Sequence, residues 1–298
     1  MSVSLVMTVI AGPPAAEAAL PGVVAALAAE VSDRAPDWLA PDKACDVMLL
    51  RSLDPTMAQE VARDAIGHAA IDVLVQPAAG RRKRVLVADL ESTIIENEML
   101  EELAEFVGRR AEVADVTRRA MNGELDFAAA LAARVALLRG LPASVLDAAA
   151  ARIRLMPGAA ALLATARANG VRTALVSGGF TVFAEPVAAR LRFDGIVANR
   201  LDVACGHIAG TVASPIVTAA TKREALLQVA AASGIPPSAT LAVGDGANDL
   251  PMLQAAGLGI AFRAKPAVAA AARWRIDHAD LTALLYAQGY RRQEIIVA

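Results

Sequence analysis

Short apolar runs alternate with amphipathic stretches along most of the chain, and the two periods predict strands and helices in turn. Within residues 1–80 the order is strand-like Val3–Ile10, helix-like Pro21–Val31 and a short strand near Trp38-Leu39. Strand-like Asp46–Leu50, helix-like Thr56–Ile66 and strand-like Ile71–Val75 follow. That βαββαβ order predicts a separate α+β domain of the split βαβ kind. It carries no cluster of reactive side chains, and Pro77–Lys83 reads as the linker to the rest.

From residue 81 to 298 the pattern changes to α/β. Val85-Leu86-Val87-Ala88 predicts a buried parallel strand that stops at Asp89, and a helix-like stretch follows over Ile94–Val107. Residues 111–150 are helical in pattern, with breaks at Asn122-Gly123 and Gly140-Leu141-Pro142. Helices without strands between two α/β segments read as an inserted cap, about 108–152, of the kind that excludes water from a site. Pro157-Gly158 opens a helix through Ala168, which Asn169-Gly170 stops. A strand over Arg172–Val176 then ends at Ser177-Gly178-Gly179-Phe180. Gly195–Ala204 and His207–Val212 flank Cys205-Gly206 as a β-hairpin would. A helix at Lys222–Ser233, a strand at Thr240–Val243, a helix at Asn248–Ala256 and a short strand at Gly259–Phe262 complete the pattern. The remainder reads as helical, with a start at Asp280-Leu281-Thr282.

Composition narrows the functions. Hydrophobic residues make up 56% of the 298 and aromatics only 3%, so a large core must be built from Ala, Leu and Val. The longest charge-free stretch, Ala225 to Gly244, is interrupted by Ser233-Gly234-Ile235-Pro236-Pro237, which argues against a membrane span. The first positive side chain is Arg34, so the N-terminus lacks the basic start of a secretory signal and a cytoplasmic protein is expected. With 29 basic and 31 acidic residues, and no basic run beyond Arg81–Arg84, the chain is not expected to bind nucleic acid. Two distant cysteines and three scattered histidines offer neither a zinc site nor a Ser-His-Asp triad.

The candidate chemistry sits where strands end. Asp89-Leu90-Glu91-Ser92-Thr93 and Gly244-Asp245-Gly246-Ala247-Asn248-Asp249 each follow an apolar strand, where open α/β sheets place their ligands. Carboxylates gathered there suit a hard cation such as Mg²⁺. Together with Ser177 and Lys222 they supply what phosphoryl transfer needs: a nucleophile, a neutralising cation and donors for the phosphoryl oxygens.

These four segments, in this order, resemble the haloacid dehalogenase-like (HAD) phosphatase superfamily and, within it, the phosphoserine phosphatases. The resemblance covers about residues 85–290 and implies a Rossmann-like core with a parallel sheet and an inserted helical cap. The ferredoxin-like unit before it looks like an ACT-type domain, which implies regulation by an amino acid or a homodimer formed through it. Carried over from the family, Asp89 is the nucleophile that becomes an aspartyl-phosphate, and Glu91 is the general acid and base. The family usually has Asp at that second place, so the carboxyl here is displaced by one methylene. Ser177, Gly178 and Lys222 would bind phosphate. Asp89, Glu91 through its backbone carbonyl, Asp245 and Asp249 would hold or support Mg²⁺, with Asn248 beside them. Glu98, Phe127 and Arg134 match the positions that read the ammonium and carboxylate of a phosphorylated amino acid. The implied reaction is hydrolysis of O-phospho-L-serine to serine and phosphate, the last step of serine biosynthesis. Two alternatives stand beside it: phosphoryl transfer to a hydroxyl acceptor such as homoserine, and a non-catalytic amino-acid sensor.

Overall fold

The computed structural model describes residues 4–50, 53–121 and 124–297. The chain divides into two compact units. One takes Met1–Lys83, Pro157–Asn169 and Trp274–Ala298, and the other takes Arg84–Met156 and Gly170–Arg273.

The first unit opens with β1 (Leu5–Ala11), α1 (Pro14–Glu17), α2 (Leu20–Val31), β2 (Asp37–Ala40), β3 (Ala44–Met48), α3 (Pro55–Ile66) and β4 (Ile71–Pro77). The strands form one antiparallel sheet in the order β2-β3-β1-β4, the split βαβ arrangement expected. Met7, Val9, Cys45, Val47 and Val75 pack from the sheet against Leu20, Val24, Leu27 and Val31 of α2 and Ala58 and Ala62 of α3. The one-turn helix α1 has no counterpart in the sequence reading.

The second unit is α/β, built on a parallel sheet. It runs through β5 (Val85–Ala88), α4 (Met99–Glu105), α5 (Arg110–Met121), α6 (Phe127–Ala136) and α7 (Ser144–Ala150). After α8 (Ala159–Ala168), which belongs to the first unit, come β6 (Arg172–Phe180), α9 (Thr181–Leu191), β7 (Gly195–Asn199), β8 (Leu201–Ala204), β9 (His207–Val212) and α10 (Ala219–Ala232). β10 (Thr240–Gly244), α11 (Leu250–Ala255), β11 (Leu258–Phe262) and α12 (Pro266–Ala271) close it. Five of these strands pair in parallel in the order β11-β10-β5-β6-β7. Val85, Val87, Ala174, Val176, Ala242 and Ala261 pack with Leu226 of α10 and Met252 and Leu253 of α11, a core of small and branched side chains as the composition requires. Among the described residues no helix is long and apolar enough to cross a membrane.

The chain then returns to the first unit with β12 (Trp274–Ile276) and α13 (Ala283–Ala287). α13 packs on β1, and the Trp274 indole donates to Val75 O at 2.8 Å. With helices on both faces, Val6 and Ile10 are as buried as Met7 and Val9, so the apolar positions of β1 do not alternate with exposed ones, and its one polar residue, Thr8, is buried and donates to Asp46 Oδ1 at 2.7 Å.

Several boundaries differ from expectation. The helix predicted over Ile94–Val107 is confined to Met99–Glu105. Before it, the Ile94 and Ile95 amides both turn back to Leu90 O, and Ile95 bridges Glu91 and Leu155, so the two isoleucines are buried in a turn and not on a helix. The hairpin consists of β8 and β9 alone, turning through Cys205 (φ 49°) and Gly206 (φ 74°), while Gly195–Asn199 pairs in parallel with β6. The strand expected to stop at Ser177 continues to Phe180 through a bulge. The helix expected from Asn248 begins as a tight 3₁₀ turn over Ala247–Asp249, and the C-terminal stretch expected to be helical contains β12. The break at Asn122-Gly123 lies outside the described residues.

Candidate active site

Parallel register assembles the site. Ala88 pairs with Val243 on one side and Leu175 on the other, so Asp89, Gly244-Asp245 and Ser177 emerge from neighbouring strand ends. The Asp89 amide extends the ladder to Val243 O at 3.0 Å.

Lys222 reaches these ends from the first turn of α10. A reciprocal cap fixes that helix start, with the Thr218 hydroxyl accepting from the Thr221 amide and the Thr221 hydroxyl from the Thr218 amide. The ammonium is fully buried, 2.7 Å from Asp89 Oδ1 and 2.7 Å from Asp249 Oδ1. The same two carboxylates hold its pKa up against the opposing effect of burial. Asp249 Oδ2 accepts from the amides of Asp245 and Gly246, so this residue ties the second acidic loop to the lysine.

Carboxylate oxygens of Asp89, Asp245 and Asp249 lie within 4.8 Å of one another, a hard-donor cluster able to hold a metal ion. Burial, then the neighbouring Asp249, raise the Asp89 pKa against the pull of Lys222. Burial and Glu98 push Asp245 up to about 7. The protein's own cations thus under-compensate the cluster. Asp245 Oδ2 and Asn248 Oδ1 are buried without a hydrogen bond; Lys265 Nζ stands 3.3 Å from the former, an ion pair without hydrogen-bond geometry. Buried acceptors lacking hydrogen-bond donors, and three carboxylates that share only two ammonium groups, fit a hard cation.

In front of the cluster lies a pocket of about 420 Å³, its mouth included, lined by Asp89, Glu91, Glu98, Leu100, Phe127, Leu131, Arg134, Gly178, Asp245 and Asn248. Glu91 Oε1 accepts from the Met99 amide at 2.9 Å, at the start of α4. Burial and then Glu98 push its pKa up to about 8, with Met99 and Arg134 opposing. Phe127 closes over the Ser177-Gly178-Gly179 bend: a Cβ on Gly178 would stand 2.7 Å from its Cζ. Arg134 is buried and fixed twice, Nε to Ala130 O at 3.0 Å and Nη1 to Thr117 Oγ1 at 2.7 Å. Ser177, Lys222 and Asp249 are buried next to these residues without lining the pocket, Ser177 Oγ accepting from the Gly179 amide at 2.9 Å.

All eleven residues singled out from the sequence fall in this one region, and four further residues join them. Thr117 orients Arg134, Ser92 donates to Glu98 Oε1 at 2.6 Å, Thr93 donates to Asp245 Oδ1 at 3.4 Å and Lys265 pairs with Asp245. Thr117 left a trace in the sequence: it continues the Val113, Ala120 stripe of a charged helix, a buried hydroxyl where an apolar residue is the rule.

The profile of the haloacid dehalogenase-like hydrolases matches residues 86–254. Phosphoserine phosphatase SerB2 of Mycobacterium tuberculosis is 45% identical over 230 residues, which are 76% of this chain and 56% of that protein. The phosphoserine phosphatase of Idiomarina loihiensis is 46% identical over 201 residues, 67% of this chain and 91% of the relative. A solved phospho-aspartyl intermediate analogue of phosphoserine phosphatase superposes with a TM-score of 0.67 at 37% identity, covering 69% of this chain and 98% of the other. The chain thus spans little more than half of the first relative and nearly all of the second. A profile match over more than half of the sequence, on the strand ends that form the site, means that the chain belongs to the haloacid dehalogenase-like hydrolase family, alongside its phosphoserine phosphatases.

Proposed function

We propose that the protein hydrolyses O-phospho-L-serine to L-serine and phosphate, with Mg²⁺ as cofactor and Asp89 as the nucleophile. The observation that carries the reading is the pairing of two unlike carboxyls in one pocket. The Lys222 ammonium, 2.7 Å from Asp89 Oδ1, opposes the burial and the Asp249 charge that raise the Asp89 pKa, and a bound divalent cation would complete its ionisation, while burial and Glu98 push the Glu91 pKa up to about 8. Phosphoryl transfer from an alkyl ester needs that pair, an anionic nucleophile and a neutral acid.

An Asp89 oxygen attacks phosphorus as the bond from phosphorus to the serine oxygen breaks, and the Glu91 proton passes to the departing alkoxide. Glu91, now a carboxylate, takes a proton from water. The resulting hydroxide attacks phosphorus and the bond to Asp89 breaks, which releases phosphate and restores both carboxyls. The Ser177 hydroxyl, the Gly178 amide and the Lys222 ammonium would hold the phosphoryl oxygens, lysine acting as a point charge. Asp89, the Glu91 carbonyl and Asp245 would bind Mg²⁺, with Asp249 and Asn248 supporting the loop around it. When bound, the ion neutralises the phosphoryl oxygens and keeps the carboxylates ionised.

The substrate assignment rests on opposite charges in the pocket. Arg134, locked by Thr117 and Ala130, offers a planar fork to the substrate carboxylate, and Glu98 offers a charge to its ammonium. The relatives named above carry the same activity in their names. Steady-state phosphate release from phosphoserine, phosphothreonine and an aryl phosphate, with and without Mg²⁺, tests the reading. Phosphoserine is expected to be preferred only with the ion, and Asp89→Asn to abolish turnover. A beryllofluoride adduct or a trapped phosphoryl group on any residue other than Asp89 refutes the mechanism, and preference for the aryl ester refutes the substrate.

A further inference from the structure

Ser92 has φ 54°, in the left-handed region that a side chain with a Cβ enters at a cost and that glycine enters freely. Strain of this kind persists where something returns for it, and the side chain shows what. Its hydroxyl donates to Glu98 Oε1 at 2.6 Å, a short bond to a charged acceptor.

The bond changes what Glu98 does. Glu98 stands at the N-cap of α4 and makes no capping hydrogen bond, so the helix's own amides leave its carboxylate free to turn elsewhere. The Met99 amide, at the first helical position, donates to Glu91. The Glu98 side chain is held by Ser92, and Glu98 lines the pocket with Arg134.

We propose that Ser92 is a positioning residue for substrate selection: its hydroxyl turns the Glu98 carboxylate into the pocket, where it selects phosphate esters that carry an ammonium group. The inference deepens the phosphoserine reading and rests on it. Ser92 acts through Glu98 and touches no reacting atom.

The experiment measures kcat/KM for phosphoserine, phosphoethanolamine and an aryl phosphate in the wild type, Ser92→Ala, Ser92→Gly, Glu98→Ala and the Ser92→Ala, Glu98→Ala double variant. Loss of one hydrogen bond to a charged group corresponds to about tenfold. Both Ser92 variants are therefore expected to lower the preference for the two ammonium-bearing esters over the aryl ester by about tenfold, chiefly through KM. Ser92→Ala is expected to add nothing in the Glu98→Ala background. Ser92→Gly, freed of the backbone strain, is expected to melt above Ser92→Ala, so a loss shared by both variants is not a folding defect. Retention of the preference in Ser92→Ala, or a further loss in the double variant, overturns the inference and leaves the phosphoserine reading standing. A wild type that does not prefer the ammonium-bearing esters overturns the substrate reading, and the role of Ser92 falls with it.

Discussion

Gly179 and Glu91 form a steric pair, and substituting Gly179 tests whether the longer acid is held in place by the space beside it. A Cβ built on Gly179 would lie 3.0 Å from Glu91 Oε2 and 3.1 Å from its Cδ and Oε1. Ordinary contact begins near 3.4 Å, so the carboxyl must give way by a few tenths of an ångström. On its other flank it is tied to the Met99 amide at 2.9 Å. Gly179 has no positive φ, so alanine does not force a left-handed backbone there, and the three nearest atoms the new methyl meets all belong to the Glu91 carboxyl. Weakening a hydrogen bond to a carboxylate is worth about 1.5–3 kcal/mol, and each ~1.4 kcal/mol is tenfold in rate. Gly179→Ala is expected to lower kcat for phosphoserine by about 10- to 100-fold. Glu91→Asp withdraws the carboxyl by one carbon–carbon bond, about 1.5 Å, which clears the new methyl. In that background Gly179→Ala is expected to cost less than about threefold, a coupling of at least ~0.7 kcal/mol. Steady-state kcat for the two single variants and the double variant gives the cycle directly. Equal losses in both backgrounds would refute the steric pairing and assign the effect of alanine to the neighbouring phosphate-binding bend.

Other outcomes follow from the same geometry. Lys222→Met removes the cation shared by two buried carboxylates, and a buried pair broken on one side costs about 3–5 kcal/mol; urea unfolding measures this, and a loss under ~1 kcal/mol would contradict the pairing. Arg134→Ala is expected to raise KM for phosphoserine about 100-fold and far less for an ester without a carboxylate, while Thr117→Val, which frees one arm of the guanidinium, gives a smaller rise of the same selectivity. Equal rises on both substrates would remove the carboxylate clamp. In EDTA, stability should fall as pH rises from about 5 to 8. Glu91 and Asp245 keep their protons up to about 8 and 7 when folded, against ordinary values of 4.5 and 3.8, so between these limits the folded protein binds more protons than the unfolded chain. Their contribution is present below the ordinary values and lost through the raised ones. Mg²⁺ should reverse the slope, and a metal-free urea midpoint that rises over that interval would contradict the sign.

The parts of the site legible in the sequence are those whose position follows from one strand and the turn after it. Asp89, Ser177 and Asp245 each terminate an apolar run, and parallel pairing brings such ends together without further instruction. Lys222 by its local pattern reads as a surface helix lysine, and it is the match to the family's lysine, in order with the other three segments, that singles it out. What failed to show was whatever depends on two distant segments meeting. The 94–107 helix was overextended because its glutamates and apolar residues satisfy a helical period, whereas the backbone is diverted at Ser92 and Ile95 is claimed by Leu155. β12 was hidden in an alanine-rich stretch, and its Trp274 finds its acceptor on Val75, 199 positions away. Lys265 lies well past the last recognisable motif, and its partner Asp245 is adjacent only because β10 and β11 pair in parallel.

The same distinction explains why Glu91, the one departure from the family's usual pattern, could be located but not judged from sequence. One methylene displaces a carboxyl relative to a fixed backbone, and the consequence depends on what receives it. Here it meets an amide at the start of α4 on one side and the bare Cα of Gly179 on the other. The first offers a hydrogen bond that an aspartate would have to stretch to reach, and the second offers the room that the longer arm needs. A glutamate at this place is therefore accommodated by two residues, 8 and 88 positions further along the chain, neither of which carries reactive chemistry. An acid that remains buried, hydrogen-bonded and protonated to about pH 8 keeps the property required for donating to a leaving alkoxide. In the proposed mechanism Glu91 would stand in for the usual aspartate, and the Gly179 cycle is the measurement that tests it.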